Sequence, residues 1–141
     1  MEVREQYRRY PTRAALDSLS ARFGLRNEPG MQDWEYEVAD AARTEEFLRA
    51  LETEHLTDDE RFTLSETVME CFEDLARAGT DLSTSPQWHR FGRLLRARPS
   101  LHAQTLCYWA LVGSSLEDAW YVSPLVRPLW AEFEPAFGEA G

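Results

Sequence analysis

The sequence predicts an all-α protein of about six or seven helices, packed as a bundle or as a short array of helical hairpins. Apolar residues recur at helical spacing through most of the 141 residues. Five helix-capping signals precede such stretches, and no two alternating segments are joined by a hairpin turn. The length fits a single all-helical domain over 1–141, with a frayed tail from about residue 135.

The first half of the chain contains two helices and one ambiguous segment. Thr12 or Pro11 begins the first helix, and Gly24, a residue type that favours helix ends, follows it. Residues 33–40 alternate in polarity like a strand. No partner strand lies nearby, so we predict a short helical turn. Asp40 or Thr44 then caps the next helix.

The clearest boundary in the chain is the capping box at residues 57–60. Thr57 occupies the N-cap and Glu60 the third helical position, and acids between them suit the positive end of the helix dipole. The helix should run to about Ala78, with Gly79 just beyond its end.

Four further starts are predicted in the second half of the chain. They are marked by serine, with proline next in two cases: Ser85-Pro86, Ser100, Ser115 and Ser123-Pro124. The helix that begins at Ser100 should end at Gly113. Ser115 should cap a short element that reaches Trp120.

Negative charge is concentrated in the second quarter of the chain. The net charge is −10, from 25 acidic and 15 basic residues, and every basic residue is arginine. Residues 33–74 contain fifteen acids and three arginines, whereas residues 75–112 contain one acid and five arginines. Phosphate contacts need Lys or Arg, so this balance argues against direct nucleic-acid binding. It favours a basic protein partner instead.

Four acids of the helix predicted over 58–78 share one face: Glu66, Glu70, Glu73 and Asp74. The face lies opposite the predicted apolar stripe. It is either a solvated face, partly neutralised by arginine from another helix, or a surface for a basic partner. The sequence leaves both interpretations open.

A third interpretation is a carboxylate metal site in a helical hydrolase. Glu66, Glu70 and Glu73 would supply the ligands, but no spaced acidic pair follows on a later helix. The histidines lie at no recognised ligand spacing: His55, His89 and His102. No glycine-rich phosphate loop or Gly-x-Ser-x-Gly sequence is present. We therefore predict no enzyme activity, no bound metal and no cofactor.

The two cysteines and the apolar runs favour a cytoplasmic protein. Cys71 and Cys107 lie in apolar surroundings on predicted helices, which is typical of buried thiols in a reducing compartment. Charged residues occupy the start of the chain, where a signal peptide needs an apolar core. The weakly polar run over 101–116 is too short and too polar to span a bilayer.

Three stretches of the chain resemble a group of known proteins. They are MQDWEYEVAD at 31–40, LTDDERFTL at 56–64, and LHAQTLCYW at 101–109 followed by EDAW at 117–120. Their spacing resembles that of small all-helical bacterial proteins, some of which look like immunity proteins encoded beside secreted toxins. The resemblance covers about residues 12–130. It implies a cytoplasmic protein that neutralises a toxin, often a basic nuclease or another polynucleotide-acting enzyme.

These observations together predict an immunity or inhibitor protein that binds a basic toxin through an acidic helical face. Trp34, between two acids, either anchors that partner or fills the core. The metal-dependent hydrolase stays as one alternative. A regulatory adaptor that uses the arginines of residues 90–98, or a homodimer, stays as another. The predicted partner contacts are Asp33, Trp34, Glu35, Asp58, Asp59, Glu66, Glu70, Glu73 and Asp74.

Overall fold

The computed structural model describes residues 2–139, and this part of the chain is all-α, as the sequence predicts. Its seven α-helices are α1 (Arg13–Phe23), α2 (Trp34–Glu37), α3 (Thr44–Thr53), α4 (Asp58–Arg77), α5 (Pro86–Ala97), α6 (Pro99–Ala110) and α7 (Ser123–Phe137). Three short 3-10 helices lie at Glu5–Tyr7, Ala41–Arg43 and Leu82–Thr84.

The described residues group into two compact units, each with its own internal contacts. Residues 10–74 form the N-terminal unit. Residues 2–9 and 75–139 form the C-terminal unit. The division falls inside α4. One domain over 1–141 stays a prediction.

The N-terminal unit begins with a helix whose two ends match the prediction. The hydroxyl of Thr12 accepts the N–H of Ala15 at 3.2 Å, and Gly24 follows α1 in the left-handed conformation with φ of 64°. At the end of α1 the half-buried Phe23 ring meets the buried Phe47 ring of α3 edge to face at 5.3 Å. The turn predicted within 33–40 is α2.

The capping box at the start of α4 is confirmed in both directions. The N–H of Glu60 donates to the Thr57 hydroxyl at 3.1 Å, and the N–H of Thr57 donates to the Glu60 carboxylate at 2.8 Å. The Ser18 hydroxyl on α1 donates to the same carboxylate at 2.6 Å. Burial acts to raise the pKa of Glu60, but the hydrogen bonds from Ser18 and Thr57 outweigh it and hold the pKa below its ordinary value.

In the C-terminal unit, α6 packs along α7, and the start of the chain pairs with its end. The N–H of Arg4 donates to the carbonyl of Phe137 at 2.8 Å, and the Tyr7 ring meets the Phe137 ring edge to face at 4.8 Å. These contacts account for a difference from the expected tail. Helix α7 continues past Pro135 to Phe137 rather than ending near residue 135.

The segment between α6 and α7 also differs from the prediction. Helix α6 ends at Ala110 and is followed by Leu111 in the left-handed conformation, not by a helix end at Gly113. Ser115 begins a turn, and no helix forms before α7. Arg98 rather than Ser100 occupies the N-cap of α6, because Pro99 takes the first helical position.

Candidate partner-binding surface

The nine predicted partner contacts differ widely in exposure. Two face solvent: Asp33 and Asp58. Three are half-buried: Asp59, Glu70 and Asp74. Four are buried: Trp34, Glu35, Glu66 and Glu73. The nine residues therefore do not form one accessible surface.

Trp34 is a core residue and not an exposed anchor. Only 1% of its surface is accessible, and its indole N–H donates to the carbonyl of Arg26 at 2.7 Å. The bond ties α2 to the loop before it. Of the two roles that the sequence left open for Trp34, the structure selects the core.

The four acids of α4 do not form the exposed face that both interpretations, solvated or partner-binding, require. Glu66 is 4% exposed and Glu73 is 1% exposed. Every residue from Glu60 to Met69 is buried. Ten consecutive helical residues point in all directions around the axis, so this part of α4 is covered on every side. Periodicity within one helix identifies its most apolar stripe but does not reveal neighbours on the other faces.

Hydrogen bonds satisfy several polar groups along this covered part of α4. The guanidinium of Arg61 donates to the carbonyl of Leu51 at 2.8 Å, and the Thr67 hydroxyl donates to the carbonyl of Glu35 at 2.7 Å. The Tyr36 hydroxyl donates to the Glu66 carboxylate at 3.2 Å. Most buried polar groups in folded proteins have such a partner, because an unpaired one destabilises the core.

The structure brings Asp33, Glu35 and Glu66 into one electrostatic neighbourhood. Burial raises the pKa of Glu35, and the charges of Glu66, Asp33 and Glu37 raise it further, against a hydrogen bond from its own backbone. The charges that raise this pKa are carboxylates, so acids are concentrated around α2. Two arginines interact with acids of the same stretch, Arg26 with Glu37 and Arg43 with Asp40.

The accessible part of this region is the acidic segment, defined as residues 33–40, which contains four acids and no basic residue. Asp33, Glu37 and Asp40 are exposed. The Glu37 carboxylate accepts the N–H of Asp33 at 3.2 Å, and the Asp40 carboxylate accepts the N–H of Ala42 at 3.0 Å. None of the three forms an ion pair with another described residue. Asp33 is among the contacts predicted from the sequence, whereas Glu37 and Asp40 are not, although the same run of acids contains all three.

The remaining predicted contacts lie elsewhere on α4. Asp59 lines a cleft of about 310 Å³ between the starts of α1 and α4. Asp58 and Asp74 are about 24 Å apart along the helix axis, at 1.5 Å per residue. The structure does not bring them together with the acidic segment.

The geometry offers no support for the hydrolase alternative. Within residues 2–139 no three His, Cys, Asp or Glu side chains are placed to hold a metal ion.

The helices in the described part of the chain are too short or too polar to span a bilayer. Cys71 is buried as predicted, and burial raises the pKa of its thiol to about 12. Cys107 is only half-buried, so the same prediction is wrong for it.

A cleft of about 590 Å³ lies between α1 and α3. Its rim carries two ion pairs, Arg22 with Glu54 at 3.6 Å and Arg49 with Glu45 at 3.2 Å. Both arginines of the lining are therefore paired with acids of the same cleft.

Comparison with known proteins adds no assignment. A scan against protein-family models finds no match, and searches of curated proteins and of solved structures find no similar protein or fold.

Proposed function

We propose that this protein is an inhibitor of the immunity-protein kind, which binds a basic toxin through the acidic segment at residues 33–40. The observation that carries the proposal is the exposure of Asp33, Glu37 and Asp40 without an ion pair to any described residue. Behind them, burial and then the charges of Glu66, Asp33 and Glu37 raise the pKa of the Glu35 carboxyl, so acids are concentrated here.

The acidic segment rests on fixed supports, which suits it to binding. Trp34 is bonded to the loop before α2, and the Thr67 hydroxyl holds the carbonyl of Glu35. Little chain ordering is then required when a partner binds. Negative charge on such a support attracts a basic partner over a distance and raises the association rate.

The proposed action is occlusion. A toxin that acts on a polynucleotide binds phosphates through Arg and Lys. Carboxylates of the acidic segment would occupy that basic groove and exclude the substrate. The inhibitor itself needs no catalytic group for this action.

The proposal is tested by co-expressing the chain with each neighbouring gene product that arrests growth, and measuring cell growth. We expect the wild type to restore growth, and the D33N/E37Q variant to lose protection and associate at least tenfold more slowly at low salt. The matched control is E5Q/E132Q, which removes the same charge from exposed positions in the C-terminal unit. The proposal fails if the wild type gives no protection, or if the two double variants behave alike.

A further inference from the structure

The C-terminal unit exposes an unusual group of apolar side chains. Five large hydrophobic residues are exposed within residues 2–139, and four of them lie at or just after the end of α6. They are 39–59% exposed: Tyr108, Val112, Leu116 and Tyr121. We call these four the apolar loop surface. Exposed apolar groups of this kind commonly mark interaction sites.

A concave site adjoins the apolar loop surface. Tyr108 and Val112 line a cleft of about 290 Å³, together with Val3, Cys107 and Leu111. This volume is just below the usual range for small-molecule pockets, about 300–1,000 Å³. The cleft is therefore suited to a single side chain rather than to a large ligand.

The backbone beneath this surface is fixed by one arginine. Arg127 on α7 donates from Nε to the carbonyl of Ala110 at 2.8 Å. Its Nη2 donates to the carbonyls of Leu111 and Ser114, both at 2.7 Å. Three charge-assisted bonds hold the turn after α6 in one conformation.

A second set of contacts fixes the far end of the loop. The Ser123 hydroxyl donates to the carbonyl of Trp109 at 2.7 Å and accepts the N–H of Trp120 at 3.0 Å. The Trp120 ring packs 5.2 Å from that of Trp109 and 6.1 Å from that of Tyr108. The loop is preorganised, so little entropy is lost when its exposed side chains are covered.

The charges around the surface select the partner. Glu117 and Asp118 are the only formally charged residues between 111 and 122, and both are exposed. Glu2 lines the neighbouring cleft. Arg77 lies over the Tyr121 ring at 5.7 Å, at one margin of the surface. A surface that has acids beside its apolar side chains is complementary to a segment whose apolar side chains are flanked by Arg or Lys.

We propose that the apolar loop surface binds a short segment of a partner protein, in which an apolar anchor residue is flanked by Arg or Lys. Four side chains and one small cleft suit a segment, because stable dimers bury about 800 Å² on each partner. A second copy of this chain would also bring its own Glu117 and Asp118 to the contact. The proposal does not depend on the acidic segment of the N-terminal unit.

The test is selection of binders from a random displayed-peptide library, with the full chain as bait. We expect the enriched peptides to combine Leu, Ile or Phe with Arg or Lys. Their affinity should fall at least tenfold for V112D/L116D and severalfold for E117Q/D118N at low salt. The matched control is Y10D, which changes the exposed large hydrophobic residue that lies outside this surface within residues 2–139 and should leave binding unchanged.

The thiol of Cys107 reports where the peptides bind. Cys107 lines the cleft, whereas Cys71 is buried with a thiol pKa of about 12, so an alkylating reagent should modify Cys107 first. A bound peptide should slow this modification severalfold. The proposal is overturned if no peptide is enriched, if acidic peptides bind equally well, if V112D/L116D binds like the wild type, or if the alkylation rate stays unchanged.

Discussion

The guanidinium of Arg127 holds the carbonyl oxygen of Leu111 at 2.7 Å, at a position where helices usually end with glycine. Leu111 has φ of 46°, the only positive φ of a non-glycine residue in the described chain. This left-handed conformation costs a leucine about 1–2 kcal/mol. The arginine compensates for the strain, so α6 ends without glycine and the loop that follows adopts one shape.

Replacing Arg127 with methionine should therefore destabilise the protein well beyond an ordinary surface change. The variant loses three charge-assisted hydrogen bonds to backbone carbonyls, and we expect about 2–4 kcal/mol lower free energy of unfolding. Urea unfolding measures it. The control is R93M, at an exposed arginine on α5, which should stay within about 0.5 kcal/mol of the wild type. Equal losses in both variants would remove the proposed role of Arg127.

Trp34 and Trp130 allow the same substitution at two equally buried sites. The indole N–H of Trp34 donates to Arg26, whereas that of Trp130 is buried with no hydrogen-bond partner in the described chain. Phenylalanine removes a hydrogen bond in the first case and an unsatisfied donor in the second. We expect W34F to cost about 1–2 kcal/mol more than W130F in thermal or urea unfolding. The reverse order would contradict this account.

Local signals in the sequence predict the helices well and the environment of their side chains poorly. The capping box of Thr57 and Glu60 depends on residues three apart, so it is visible in the sequence and is present in the structure. The burial of Glu66 depends on partners such as Tyr36, thirty residues away, which no local pattern shows. The end of α6 could not be predicted for the same reason, because Arg127, which binds the Leu111 carbonyl, lies on the next helix.

The candidate site could be predicted in part for the same reason. The run of acids at residues 33–40 is visible in the sequence, and so is their excess over basic residues. Which of these acids face water depends on how α2 packs, and Trp34 and Glu35 point inward. The exposure of the apolar loop surface could not be predicted, because aromatic residues at helical spacing are usually core residues.

Glu35 and Glu60 should give stability profiles of opposite sign against pH. The pKa of Glu35 is raised in the folded state, so ionisation opposes folding, and stability is lost as the pH rises from about 4.5 through the folded pKa. E35Q should therefore be more stable than the wild type at pH 7, and the gain should shrink at pH 4. The pKa of Glu60 is lowered, so its contribution is present above about 4.5 and lost as the pH falls through the folded pKa.

The E60Q variant tests whether the pH dependence of stability has the opposite sign at Glu60. It should be less stable than the wild type at pH 7, and the difference should diminish on acidification, when Glu60 itself becomes protonated. Chemical unfolding between pH 3 and 8 measures both variants. Parallel profiles for E35Q and E60Q would show that the two carboxylates do not occupy the different environments described for them.

Charge reversal should destabilise the protein strongly at a buried acid of α4 and hardly at all at an exposed acid of the acidic segment. Glu66 accepts a hydrogen bond from Tyr36 and is 4% exposed, so E66R places a larger side chain of opposite charge in the core. We expect it to cost more than about 3 kcal/mol or to prevent folding. Asp33 is exposed, so D33R should change stability by less than about 0.5 kcal/mol. Circular dichroism melts of both variants test this directly. If E66R melted like the wild type, Glu66 would have to face solvent, and both interpretations of the α4 acids that the sequence leaves open would stand again.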